Sequence, residues 1–328
     1  MKTVYIAAAD GVHLCRLSDD GILTHEELLP CGRTRYLAED TGRLFILLRA
    51  ADTTDGDNSA VVPYFPDPQG LLTDPCPALT TGGLCGCHLS VLDNVVYAAN
   101  YISGSVARMP LDGTPATVLS HTVHGMPLGP NADRQECPHP HFIAPTPDGR
   151  FLLVCDLGLD VILTYDPALQ LISAVTLPAG NGPRHLCFSA DGRYVFCANE
   201  LSSTLSVLVF DSESGTLTHL ADVTTRASDH GDHPNYPAAI RCTESQIFVS
   251  NRGDDDVAVF RIPEDGSAPL LTANLLCGGA WPRDIAVTDG YLVCTCEHSD
   301  CITVLDAQSG APVSRLDGIP APIAALVV

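Results

Sequence analysis

Apolar residues alternate with polar ones in short runs, and each run stops at a cluster rich in glycine, aspartate or asparagine. The segments "TVYIAAADGVHLCRLSDDG" from residue 3, "RLFILLRAADTTDGDNSAVVPYF" from 43 and "NVVYAANYISGSVARMPLDG" from 94 share this layout. So do "RFLLVCDLGLDVILTYD" from 150, "RYVFCANELSSTLSVLVFDSESG" from 193, "QIFVSNRGDDDVAVFRIPEDG" from 246 and "YLVCTCEHSDCITVLDAQSG" from 291. Each reads as a strand, a polar turn, a second alternating strand and a closing turn. Another apolar stretch leads into three of them: "HFIAPTPDGR", "RHLCFSADGR" and "RDIAVTDGY". Their Asp-Gly pairs at 148–149, 191–192 and 289–290 are hairpin signals. No stretch sustains a 3.6-residue period between helix caps.

The last five repeats start 43 to 56 residues apart, the length of a four-stranded propeller blade. Seven such units fill the chain. The expected fold is all-β, a single seven-bladed β-propeller domain over residues 1–328, with four antiparallel strands per blade. The N-terminal "TVYIAAADG" resembles a second strand that lacks its first. The C-terminal "GIPAPIAALVV" resembles a spare first strand. Pairing the two would close the ring and remove two open sheet edges.

Composition narrows what such a ring could do. The 328 residues are 45 % apolar and 17 % charged, with a net charge of −22. That charge argues against nucleic acid and anionic membrane as partners, since both attract basic surfaces. An anion site must therefore be built locally. All but one of the 17 basic residues are arginines, which suit bidentate capture of carboxylate or phosphate. Lys2 alone, at the N-terminus, offers no credible Schiff-base nucleophile. The opening residues lack the apolar core of a signal peptide, so a cytoplasmic location is expected. The 14 cysteines are then read mainly as small buried thiols; Cys155, Cys197, Cys294 and Cys296 lie within apolar runs. The pairs Cys85/Cys87 and Cys294/Cys296 have one-residue spacing, unlike the usual zinc pairs. "ASDHGDHPNY" at 227–236 reads as a polar excursion between blades.

Topology places the candidate chemistry. First and second strands form a hairpin, so the start of one and the end of the other share one end of the propeller. This gathers His88, His141, Arg184 and Arg283 with Asn100, Asp156, Glu200 and Arg252 around the central channel. The stretch "GPNADRQECPHPHF" at 129–142 adds Arg134, Glu136 and His139 just before His141. The chain contains no phosphate-binding glycine loop and no serine nucleophile elbow.

The segments "RQECPHPHF", "PDGRFLLVCDLGLD", "NGPRHLCFSADGRYVFCANELSSTLSV", "SNRGDDDVAVF" and "WPRDIAV" resemble the seven-bladed-propeller lactonases. This is the propeller-type 6-phosphogluconolactonase family, which includes the fungal carboxy-muconate lactonizing enzyme. The resemblance implies catalytic roles for His141 (or His139), Arg184, Glu200 and Arg252; the topology adds His139, Arg134, Arg283, Asn100, His88 and Asp156 as expected substrate contacts. It implies hydrolysis of a sugar-acid lactone, with 6-phosphoglucono-1,5-lactone the leading candidate; the proposed groups supply the acid–base and oxyanion roles themselves, so neither metal nor other cofactor is expected. The alternatives are a lactonizing or lactone-opening enzyme for a muconate-type dicarboxylate, and a binding scaffold without catalysis. The expected partner is a small anionic lactone, and the expected state a monomer or weak homodimer.

Overall fold

The computed structural model describes residues 1–49, 58–227, 231–263 and 268–328. Most of the loop expected at 50–60 and part of the 227–236 excursion lie outside the described residues. Within them, the strands form seven four-stranded antiparallel sheets arranged as propeller blades. Blade 1 joins the two ends of the chain. Ala324–Val327 is its innermost strand and pairs with Lys2–Ala7, in the register Val4 to Val327 through Ala7 to Ala324. The ring is therefore closed by the two orphan strands, as the terminal patterns require. Deleting the last nine residues is expected to unpair Val4–Ala7, open two edges and lower the melting temperature of the whole ring. A circular-dichroism melt identical to that of the intact chain would refute this.

The core is distributed over seven seams between neighbouring blades. Middle strands are buried on both faces, and side-chain alternation feeds two seams at once. In chain order the innermost strands of blades 2 to 7 are Thr34–Asp40, Gly86–Leu92, Pro140–Pro145, Pro183–Phe188, Tyr236–Cys242 and Pro282–Thr288. In "FLLVCD", Leu152 and Val154 pack toward blade 3, while Leu153 and Cys155 pack toward blade 5. Hence the second strands read as near-continuous apolar runs. The outermost strands face solvent and alternate, as in Leu171–Thr176.

One disulfide corrects the reading of the cysteines as free thiols. Cys187 and Cys242 link the innermost strands of blades 5 and 6. Cys155, Cys197, Cys294 and Cys296 are buried free thiols, as expected. No helix among the described residues is long and apolar enough to cross a membrane.

Candidate active site

The innermost strands share one irregularity. In six of the seven blades the register with the second strand slips near the strand start. The slips step over Arg35 in blade 2, Cys87 in blade 3, His141 in blade 4 and Arg184 in blade 5. Blade 6 skips Ala238 and Ala239, and blade 7 skips Arg283. A bulge leaves its extra residue unpaired and re-aims the side chain, which is why bulges cluster beside sites. Here the re-aimed residues converge on the channel mouth. Arg35, Cys87, His141 and Arg283 line a cavity of about 520 Å³.

The second strands contribute from the opposite side of each hairpin. The residue facing the strand start just before the bulge is Leu48, Asn100, Asp156, Asn199, Asn251 or Cys296. In four of these six blades the next residue along reaches the mouth: Arg49, Tyr101, Glu200 and Arg252 line the cavity, whereas Leu157 and Glu297 do not. This one-residue offset separates the expected site residues into two groups. Asn100 is fully buried and donates to the Thr81 carbonyl and Ser105 Oγ. Asp156 accepts from the backbone N–H groups of His139, Gly158 and Leu159 and pairs with His121 at 2.6 Å. Both hold the strand-end turns, and the structure places neither at the cavity. His88 is also displaced. Its neighbour Cys87 occupies the bulge, so the His88 ring turns into the channel between Tyr36 and Phe142.

Glu200 organises the cavity wall. It is 3 % exposed, and Arg134 Nη2 reaches its Oε1 at 2.5 Å. Its Oε2 lies 2.9 Å from Arg184 Nε and 2.7 Å from Arg252 Nη2. Burial opposes its charge, yet the guanidiniums of Arg252, Arg184 and Arg134 together hold the carboxyl well below the usual carboxylate range. Glu200 is thus a carboxylate at neutral pH. It has no proton to give and serves to fix three guanidiniums. Arg184 also donates to the Ala238 carbonyl at 2.7 Å. Burial and the neighbouring Arg252 push it down to about 9, still a cation at neutral pH. It sits under the cavity floor. Arg252 donates to the Tyr236 carbonyl, and its guanidinium lies 5.5 Å from the Trp281 ring centre.

The two histidines of "HPH" have separate places. His141 lines the cavity and is 6 % exposed, and its Nδ1 has no partner in the protein. Burial, reinforced by Arg184, holds it well below the ordinary histidine value. The ring is therefore neutral and able to accept a proton. His139 lies behind the wall. It stacks on Tyr101 with ring centres 4.2 Å apart, and its Nδ1–H donates to the Tyr101 carbonyl. Beneath His141 lies a void of about 20 Å³, room for roughly one water. His185 borders it, and both of its ring nitrogens lack a protein partner.

Five arginines and one carboxylate line the cavity: Arg35, Arg49, Arg134, Arg252, Arg283 and Glu200. In a chain of charge −22 this is a local reversal of sign. Arg283 pairs with Glu297 at 2.9 Å, whereas Arg35 faces the Cys85 sulfur at 3.9 Å. Sequence reasoning did not find Arg35, Arg49, Tyr101 or Trp281. Arg35 had a signal, because "RTRY" repeats the strand-start arginine of "GPRH" and "WPRD". Tyr101 and Arg49 had one too, each lying one residue past a strand end.

The sequence matches a known family. The model of the family described as Lactonase, 7-bladed beta-propeller matches residues 3–328. The chain belongs to that family. Among solved structures of similar fold is a Lactobacillus plantarum protein, 29 % identical with a TM-score of 0.88, each chain covered fully. Another is the Pseudomonas aeruginosa periplasmic gluconolactonase, 25 % identical with a TM-score of 0.88, over 100 % of this chain and 99 % of that one. An uncharacterized Staphylococcus saprophyticus protein is 31 % identical over 264 residues, covering 76 % of this chain and 75 % of its own length. As a lactonase-family propeller, the chain gathers His141, Glu200, Arg252 and Arg283 at the bulged mouth.

Proposed function

We propose that this propeller hydrolyses an anionic sugar-acid lactone, with 6-phosphoglucono-1,5-lactone as the leading substrate. The observation that carries the reading is a neutral imidazole, His141, at the wall of a cavity dominated by arginines. Lactone opening needs an activated water, a partner for the developing oxyanion and a proton for the leaving alkoxide. The His141 ring accepts the proton of the attacking water. As imidazolium it returns that proton to the ring oxygen when the carbon–oxygen bond breaks. Arg252, held in place by Glu200, faces the oxyanion. Arg184 acts through Glu200 from below, as a positioning residue. Arg35, Arg49 and Arg283 take the anionic end of the substrate.

Electrostatics supports this last assignment. Burial and the facing guanidiniums of Arg283 and Arg49 all disfavour charge on Arg35. A guanidinium stays protonated regardless, so the repulsion persists until an anion enters. A phosphate accepts bidentate hydrogen bonds from such a cluster. Arg35→Ala is therefore expected to raise KM for the phosphorylated lactone by about 10–100-fold, the worth of a charged hydrogen bond. It should leave kcat nearly unchanged, and glucono-1,5-lactone, which lacks the phosphate, should be unaffected. Equal effects on both lactones would remove Arg35 from the anion site. Turnover of a muconate-type lactone, with no acid release from either sugar lactone, would replace the substrate assignment itself.

A further inference from the structure

The loop before His141 carries a second constellation that the lactonase chemistry does not use. Among the described residues, one group of three His, Cys or acidic side chains brings a donor atom from each within 4.8 Å: Glu136, Cys137 and His139. None of the three lines the cavity. His139 Nε2 lies 3.0 Å from Glu136 Oε1 and 3.6 Å from Cys137 Sγ. Cys137 Sγ lies 3.8 Å from Glu136 Oε1. Bonds of about 2.0–2.3 Å at tetrahedral angles place neighbouring donors about 3.3–3.6 Å apart. The three separations fall within a few tenths of an ångström of that range.

The His139 ring is already oriented for ligation. Its Nδ1–H donates to the Tyr101 carbonyl at 2.9 Å, its backbone N–H to Asp156, and its face stacks on Tyr101. Metal-bound histidines characteristically give their other N–H to a carbonyl or carboxylate, which fixes the ring. Glu136 is exposed and Cys137 half-buried, so an ion can enter from solvent and keep water as a fourth ligand. The excess negative charge of the chain raises the local concentration of cations.

We propose that Glu136, Cys137 and His139 form a binding site for a borderline-soft divalent cation of the zinc type, outside the catalytic cavity. A thiolate, an imidazole and a carboxylate together favour such an ion over magnesium or calcium. Binding forms a metal–sulfur bond and releases the thiol proton to solvent. The ion bridges the stretch between Arg134 and His141, so it clamps the loop that delivers both to the cavity.

Cobalt(II) is the probe, because it adopts the same tetrahedral geometry and absorbs light. One equivalent added to the purified full-length protein is expected to give a sulfur-to-cobalt charge-transfer band in the near ultraviolet and visible d–d bands. Zinc should displace both. Cys137→Ser should abolish the near-ultraviolet band, and Glu136→Gln should weaken cobalt affinity by at least about tenfold. Zinc should raise the melting temperature of the wild type and leave that of Cys137→Ser unchanged. Both substitutions lie on the loop surface, and metal-free melts will show that the variants fold. A wild type without the charge-transfer band overturns the proposal. So does a band that survives Cys137→Ser, since it would belong to another thiol, such as Cys31, Cys76 or Cys85.

Discussion

His141→Ala is expected to lower kcat for the lactone by roughly 10²–10⁴-fold, the usual worth of a positioned general base, with KM nearly unchanged. The proposed mechanism gives the ring the proton and leaves substrate anchoring to Arg35, Arg49 and Arg283. Spontaneous opening of the lactone must be subtracted, since these rings hydrolyse without help. The pH profile provides a second signature. Burial and Arg184 hold His141 well below its ordinary value of 6.5. The base form is therefore already present at neutral pH and survives below pH 6.5. The acid limb of kcat/KM should lie on the acid side of 6.5, and His141→Ala should remove it. A folded His141→Ala protein with wild-type turnover would take this residue out of the mechanism.

Glu200→Ala is expected to be the most destabilising single change at the mouth. It would leave Arg134, Arg184 and Arg252 facing one another without their shared carboxylate. Removing one member of a buried charge network typically costs about 3–5 kcal/mol, because the remaining charges stay buried and unpaired. Turnover should fall as well, since Arg252 and Arg184 lose the group that aims them. The dependence on pH has a definite sign. The folded-state pKa of Glu200 is depressed below its ordinary 4.5. Its contribution to stability is therefore complete above the unfolded value and is lost as pH falls through the lower, folded one. Urea midpoints for wild type and Glu200→Gln should thus differ most at neutral pH and converge in strong acid. Equal midpoints at pH 7 would show that the arginines do not depend on this carboxylate.

Much of the architecture was legible before any coordinates, and the reason is periodicity. A blade is a local unit, and each of its strands must present alternating side chains to two seams. The repeat length, the Asp-Gly turns and the apolar second strands therefore appear directly in the residue pattern. Ring closure was legible for the same reason. A lone second strand at one terminus and a lone first strand at the other have no other partner that removes both edges. Arg184, Arg252, Arg283, Glu200 and His141 were also found from sequence, because the hairpin topology alone assigns strand starts and strand ends to one mouth.

The tertiary structure decided which residue at each strand end faces the cavity. Side chains change face with every residue, so an error of one position exchanges a site residue for a structural one. That is how Asn100, which holds its turn, stood in for Tyr101, and how His88 stood in for Cys87; Asp156 holds its turn too, and its neighbour Leu157 stays buried away from the cavity. The bulge that sets this register leaves no fixed mark in composition: it carries arginine in three blades, and histidine, cysteine or alanine in the others. Protonation was equally invisible. Read along the chain, Glu200 is a carboxyl able to act as acid or base. Only the convergence of Arg134, Arg184 and Arg252, from a loop and two other positions far apart in sequence, makes it a fixed anion. The residue pattern determined the blades and the end of the channel where chemistry gathers, because both follow from local alternation. The charge state and aim of each group there depend on neighbours that only the closed ring brings together.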